Sequence, residues 1–316
     1  MKTMRLRKPP PVAPGAAISI VAPASPAKMD RVENGQVALR ELGYSPALGV
    51  NALERSPLYF AGTVEQRLAD LHAAFADADT SAIMAMRGGY GSNYLLDDLD
   101  LETIAANPKP FFAYSDLTGV QMRLLDEAGL PAFHGPMLAA DFYRKDGVHI
   151  DSFRAALSGE PYSVGATEGL RLLKPGRMPG NVTGTLYGGC LSILAAMLGT
   201  PWEPCTEGTL LFLEDLATKP YQVDRLLWQL RNARKLEGVR GIIFGEMFEC
   251  VSPGAPDDLL EKAILSALDG FSGPIAIGLR SGHVSRENVT LTFGVEAELA
   301  LDGDVQLNLL EPAVTA

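Results

Sequence analysis

The stretch Pro110–Thr118, P-F-F-A-Y-S-D-L-T, constrains this chain more than any other. Phe111, Phe112, Ala113 and Tyr114 make a short apolar and aromatic run of the kind that forms a buried strand. The run stops at Ser115-Asp116, and Leu117, Val120, Leu124 and Leu125 then recur at helical spacing. A strand that turns at a serine straight into a helix is a nucleophile elbow. The turn lifts the hydroxyl above the sheet, and the helix N-terminus aims amide donors at whatever that hydroxyl attacks. The plainer reading is that Ser115 or Asp116 caps the helix, a task both residue types perform well. The elbow alone leaves both readings open.

The rest of the chain has to supply a sheet for that strand. Ala16–Val21 reads as a first buried strand, Lys28 to Leu42 as a helix closed by Gly43, and Tyr44–Val50 as a second strand. Thr63 to Ala76 is amphipathic, with Val64, Leu68, Leu71 and Phe75 on one face and Thr63 placed to cap it. Ala82–Met86 is a strand that runs into Arg87-Gly88-Gly89-Tyr90-Gly91-Ser92, with helix to follow up to Asn107. After the elbow and its helix to Gly129 comes a short strand, Ala132–Phe133. Strand and helix alternating through short connections predict a doubly wound parallel sheet.

The alternation degrades between about Gly159 and Val182, where Lys174-Pro175-Gly176-Arg177-Met178-Pro179-Gly180 is the strongest boundary signal in the chain. Residues 1–165 are therefore expected as an N-terminal domain carrying the serine, 166–182 as a linker, and 183–316 as a smaller C-terminal α/β domain with a β-rich end. In the latter, Gly188-Gly189 opens a helix over Cys190–Leu198, and Thr209–Leu213 is a strand ending in Glu214-Asp215. Tyr221–Arg234 is a helix, Gly241–Phe244 a strand and Pro256–Leu268 a helix. Pro274–Ile277 is a strand closed by Gly278-Leu279-Arg280-Ser281-Gly282-His283. Asn288–Phe293, Glu296–Leu301 and Val305–Leu309 alternate like antiparallel strands.

Bulk properties narrow the chemistry. A chain of 316 residues with net charge −11 and pI about 4.9 is an unsuitable partner for nucleic acid or an anionic membrane. Three widely spaced cysteines, with no CxxC pair, point to reduced thiols, and only four histidines are available. No HExxH or other metal-ligand spacing occurs, so neither metal nor cofactor is expected. Met1 to Pro14 is basic and then proline-rich, without the apolar segment of a signal peptide, and reads as a frayed lead-in to the first strand. With no run of membrane-spanning length, the expected location is cytoplasmic.

Four candidate positions fall at carboxyl ends of expected strands, where open α/β sheets bind ligands: Arg87–Gly91, Ser115-Asp116, Glu214-Asp215 and Gly282-His283. A hydroxyl to attack, an imidazole to take its proton and a carboxylate to hold the imidazole's tautomer are the needs of acyl transfer, in any chain order. Taken singly, His283 reads equally as a loop histidine, Glu214 as a solvated strand end and the glycines as a tight turn. The turn has neither the GxGxxG spacing nor the Lys-Ser/Thr of a phosphate loop. It suits a backbone that must approach another group closely, such as a donor wall beside Ser115.

Arg87-Gly-Gly-Tyr-Gly-Ser, Asn107-Pro-Lys-Pro-Phe and Tyr114-Ser115-Asp116 together resemble the LD-carboxypeptidase family of serine peptidases. The likeness continues at His134-Gly-Pro-Met, Gly184 to Gly189, Leu213-Glu214-Asp215 with Tyr221 and Asp224-Arg225, and Gly282-His283. The resemblance implies a flavodoxin-like N-terminal domain and a homodimer. It also implies Ser115 as nucleophile, His283 as general base, Glu214 as its orienting carboxylate, and the amides of Gly89 and Asp116 as the oxyanion hole. Ala113 departs from the family, which usually has glycine two residues before the serine. The implied activity is removal of the terminal D-alanine from murein tetrapeptides in peptidoglycan recycling. The family's other branch hydrolyses aminoacyl-nucleotides such as processed microcin C and would need an aromatic platform, for which Tyr187, Trp202 and Tyr221 are candidates. Arg87, Lys219, Arg225 and Arg280 are candidates for a substrate carboxylate. A non-catalytic flavodoxin-like binding protein is the alternative of another class.

Overall fold

The structure, a computed structural model, describes residues 6–315. The chain divides into two compact units. The first comprises the chain up to Glu160, together with Arg286–Gly294 and the stretch from Pro312. Its elements are β1 (Ala17–Val21), α1 (Met29–Glu41), β2 (Ser45–Leu48), α2 (Val64–Ala76), β3 (Thr80–Ala85), α3 (Leu101–Ala106), β4 (Phe111–Ala113), α4 (Thr118–Ala128), β5 (Ala132–His134) and α5 (Ile150–Ser158). The sheet order is β2-β1-β3-β4-β5, all parallel, with a further strand, Leu291–Phe293, antiparallel on β5. This is the flavodoxin-like order, in which the direction of winding reverses between β1 and β3. Helices cover both faces of such a sheet, so Ala82 to Met86 is fully buried rather than alternating. Local signals set the helix ends. Thr63 caps α2 in a full capping box with Gln66, and Gly129, at φ 70°, closes α4.

The second unit comprises Pro161–Ser285 and Val295–Glu311. It contains β6 (Ser163–Val164), β7 (Arg171–Lys174), β8 (Val182–Cys190), α6 (Leu191–Ala196), β9 (Thr209–Glu214), α7 (Pro220–Asn232), β10 (Gly241–Gly245), α8 (Leu259–Ala267) and β11 (Ile275–Leu279). With Leu291–Phe293 numbered β12 in the first sheet, β13 (Glu296–Ala300) and β14 (Gln306–Leu309) complete the second. Its order is β6-β14-β13-β8-β9-β10-β11-β7, with β8 to β11 parallel and the flanks antiparallel.

Four expectations need correction. Residues 166–182 are not a free linker, because Arg171–Lys174 pairs with β11 and the Arg177 amide donates to Ser272 O at 2.8 Å. Gly188-Gly189 does not open a helix but ends the nine-residue strand β8. A Cβ on Gly188 would stand 1.9 Å from the Phe212 carbonyl oxygen, so glycine here permits close strand pairing instead of breaking it. The segment near 288–293 leaves the C-terminal unit and lengthens the first sheet through Leu291↔His134. The lead-in is not frayed where described: the Arg7 and Val12 amides donate to Gly129 and Leu157 carbonyls, while Met1–Arg5 lies outside the described residues. Among the described residues no helix is long and apolar enough to cross a membrane.

Candidate active site

The strand β4 ends at Ala113, and Ser115 follows with φ 64°. A side-chain-bearing residue in the left-handed region costs of the order of 1 kcal/mol or more and persists where surrounding structure imposes it. Ser115–Leu117 forms one 3₁₀ turn that leads into α4. Neither Ser115 nor Asp116 caps the helix, since no side-chain cap bond exists at either start. The Asp116 carboxylate instead accepts from the Ser92 amide at 2.8 Å, while Ser92 Oγ donates to Asp116 O at 2.6 Å. These bonds lock the glycine turn after β3 to the elbow.

That turn comes close to the serine. A Cβ on Gly88 would lie 2.8 Å from Ser115 Cβ and 2.9 Å from its Oγ. Gly89, at φ 119°, and Gly91, at φ 114°, adopt conformations that favour glycine. The Tyr90 amide donates to Ser25 Oγ at 3.1 Å, tying the loop after β1 to the loop after β3 at the winding reversal. Arg67 of α2 completes this brace, with Nη1 donating to Pro23 O and Gly91 O, both at 2.8 Å. Burial pulls its pKa down, opposed by the nearby Asp116 charge. Among the described residues, neither the Gly89 nor the Asp116 main-chain N–H donates a hydrogen bond within the chain.

In the second unit, Glu214 closes β9 and is fully buried. Its Oε2 accepts from the His283 main-chain N–H at 3.0 Å and contacts His283 Nδ1 at 2.7 Å. A carboxylate in that position holds the ring proton on Nδ1 and leaves Nε2 as the acceptor. Glycines clear the space. Cβ atoms on Gly245 and Gly282 would stand 2.7 Å from Glu214 Cβ and 2.6 Å from its Cδ. Glu246 Oε2 accepts from the Ser285 amide at 2.9 Å and pins the loop that carries His283. The other histidines have structural partners. His72 Nε2 accepts from the Asp100 amide, His149 caps α5 and His134 packs against Phe293.

Asp215 is a brace. It accepts from the Ser192 and Leu216 amides, both at 2.9 Å, and from Thr218 Oγ1 at 2.8 Å. Burial raises its pKa against those bonds. Burial also raises the thiol pKa of Cys190, and pushes Cys250 up to about 12. Arg280 is buried and gives Nη2 to Thr167 O at 2.7 Å, so it supports a turn. Arg87 donates to Gly88 O, and Arg225 lies over the Tyr221 ring at 5.8 Å. Tyr187 is only 2% exposed and its hydroxyl accepts from the Cys205 amide, which removes it as an open platform; Tyr221 is 63% exposed.

Two groups around the elbow escape a reading of the sequence. Arg67 falls on the apolar face of α2, three residues from Val64 and four from Leu71, a spacing that would have marked it. Asp141 is buried, bonded to the Met137 amide at 2.9 Å and within 3.3 Å of the Tyr114 hydroxyl. Burial pushes its carboxyl up to about 6 against those contacts. No motif announces it. Among the described residues no cluster of three or more histidine, cysteine or acidic side chains is placed to hold a metal ion.

Residues 18–135 match the LD-carboxypeptidase N-terminal domain and residues 183–299 the LD-carboxypeptidase C-terminal domain. The chain belongs to the LD-carboxypeptidase family of serine-type peptidases, and its homologues support a carboxypeptidase activity. The murein tetrapeptide carboxypeptidase of Pseudomonas aeruginosa is 32% identical over 89% of this chain and 92% of its own. The crystal structure of the muramoyltetrapeptide carboxypeptidase from Oxalobacter formigenes covers 95% of this chain and 100% of its own, at 30% identity and TM-score 0.82. The Escherichia coli microcin C7 self-immunity protein MccF is 28% identical over 93% of this chain and 92% of its own. Its wild-type apo structure matches at TM-score 0.88 and 26% identity, covering 98% of this chain and 99% of that one.

Proposed function

We propose that this chain is a serine carboxypeptidase that releases the terminal D-alanine of murein tetrapeptides by hydrolysing the bond between an L-centre and that D-residue. Ser115 Oγ attacks the scissile carbonyl carbon while His283 Nε2 takes its proton. The developing oxyanion is met by the Gly89 and Asp116 amides. Collapse breaks the C–N bond, and the imidazolium returns its proton to the departing D-alanine amine. Water then hydrolyses the acyl-serine by the same route in reverse. Glu214 holds the imidazole's tautomer and stabilises its charge without itself taking the proton.

The observation that carries this reading is the buried Glu214 in contact with His283 Nδ1 at 2.7 Å, an arrangement that holds the ring proton on Nδ1 and makes Nε2 the basic nitrogen. The strained Ser115 against Gly88 supports the nucleophile's part. The murein substrate is favoured over the microcin type by the higher identity to the murein enzyme, 32% against 28%. The likeness to MccF and the exposed Tyr221 keep an aminoacyl-nucleotide amide as the second reading. Mass spectrometry of L-Ala-γ-D-Glu-(meso-diaminopimelate or L-Lys)-D-Ala incubated with the enzyme tests the choice. Loss of one alanine residue is expected. An intact tetrapeptide beside a hydrolysed aminoacyl sulfamoyl adenosine would favour the second reading, and two intact substrates a binding protein.

A further inference from the structure

Four aromatic rings sit together on the surface of the first unit beside the glycine turn. Tyr59, Tyr90 and Tyr94 are 56%, 43% and 52% exposed. The Tyr59 and Tyr90 centroids lie 5.4 Å apart, Phe60 stacks on Tyr90 at 6.0 Å, and Tyr94 meets Phe60 edge-on at 5.7 Å. Burying such rings is strongly favourable, so a cluster left in water marks a surface that meets a partner.

The cluster is braced from below and joined to the elbow. A Cβ on Gly91 would stand 2.4 Å from Phe60 Cδ1, so the ring rests directly on the turn's backbone. The Arg67 guanidinium lies 5.1 Å from the Phe60 centroid and holds the Gly91 carbonyl. Tyr90 is two residues beyond Gly88, the residue that abuts Ser115, which puts its Cα within about 7 Å of Gly88. The Tyr90 and Tyr94 rings meet edge-on at 6.2 Å, and the neighbouring Tyr94 phenol raises the Tyr90 pKa. The surface therefore offers flat apolar faces edged by hydroxyls that donate and accept.

We propose that this cluster is a subsite for a saccharide carried on the amino end of the peptide substrate, an inference that rests on the murein reading above. A pyranose presents C–H faces to aromatic rings and hydroxyls to phenols, whereas a stem of L-Ala and D-Glu has little apolar surface to cover four rings. Distance agrees. The three residues before the scissile bond span about 10 Å when extended, enough to reach past the turn. The relative from Oxalobacter formigenes is named for a muramoyl-tetrapeptide, a peptide with such a sugar.

The full chain is tested with two probes, N-acetylmuramoyl-L-Ala-D-Glu and L-Ala-D-Glu, by calorimetry on wild type and on the Tyr59→Ala/Tyr94→Ala double variant. Neither probe has the scissile bond, so the result is independent of whether the tetrapeptide is cleaved. The sugar is expected to tighten binding about tenfold or more in wild type and by less than about twofold in the double variant. The tetrapeptide with and without the sugar gives a second readout. The ratio of the two kcat/KM values should fall about tenfold in the variant, and a ratio is insensitive to the fraction of folded enzyme. A sugar that adds nothing in wild type, or a gain that survives in the variant, overturns the subsite. So does light scattering in which the variant loses a second copy that wild type retains, since the rings would then be an interface.

Discussion

The elbow of the first unit and the Glu214–His283 pair of the second hold the proposed catalytic groups by different means. Ser115 is set by the backbone, through a left-handed φ, a glycine wall at Gly88 and a turn whose main-chain groups are held by the side chains of Ser25, Arg67 and Ser92. His283 is set by a side chain, the buried Glu214 carboxylate that takes both its main-chain and ring N–H groups. A backbone-set elbow survives loss of the serine side chain, because the turn is built without it. A side-chain-set imidazole loses its orientation when the carboxylate changes. The two ends should therefore fail differently under mutation.

Ser115→Ala gives the largest expected effect. It removes the proposed nucleophile and leaves the elbow's bonds in place, so kcat should drop by roughly 10⁴–10⁶ with the thermal midpoint nearly unchanged. Steady-state kinetics beside a melting curve separates the two; more than about a tenth of the activity remaining would remove Ser115 from the mechanism.

Glu214→Gln should cost less, about 10² to 10⁴ in kcat, because in the proposed mechanism the carboxylate orients rather than reacts. In wild type kcat/KM should rise with pH through a limb on the high side of the ordinary histidine range, about 6–7, since a neighbouring carboxylate favours the charged imidazole. The amide keeps the shape without the charge, so the limb should move to lower pH. An unmoved limb with a rate within about threefold of wild type would end the case for Glu214.

The smallest effect concerns stability. Asp141 lies buried beside Tyr114 in the first unit with its carboxyl pushed up to about 6 by burial. The folded state therefore binds its proton more tightly than the unfolded chain does. Its contribution is present below the ordinary aspartate value and lost as pH rises through about 6, by up to about 3 kcal/mol. Asp141→Asn retains an acceptor and cannot ionise, so stability measured by urea should fall less between pH 4 and pH 7 than in wild type. Parallel curves for the two proteins would show that Asp141 does not carry this step.

The same contrast explains what could be read in advance. The elbow, the glycine turn and the winding of the first sheet were legible, because backbone-set features leave contiguous signatures: Phe111–Tyr114 before a serine, Gly88-Gly89 after a strand, a capping box at Thr63. Glu214 and His283 lie 69 residues apart, and their pairing was legible only through resemblance. Glycines misled where they permit close approach, at Gly188-Gly189 in β8, and a Pro/Gly run hid the adjacent strand Arg171–Lys174. The place of Leu291–Phe293 in the first sheet depends on a partner strand far back in the chain, which local periodicity does not encode.

The central claim is that Ser115 is a nucleophile made reactive by His283. A fluorophosphonate probe reports this directly, read by peptide mass spectrometry on wild type, Ser115→Ala and His283→Ala. The account predicts a single adduct on Ser115 in wild type, none in Ser115→Ala, and labelling of Ser115 in His283→Ala slowed by about 10³-fold or more. Labelling of Ser115 at an undiminished rate without His283, or an adduct on another residue in its place, would contradict it.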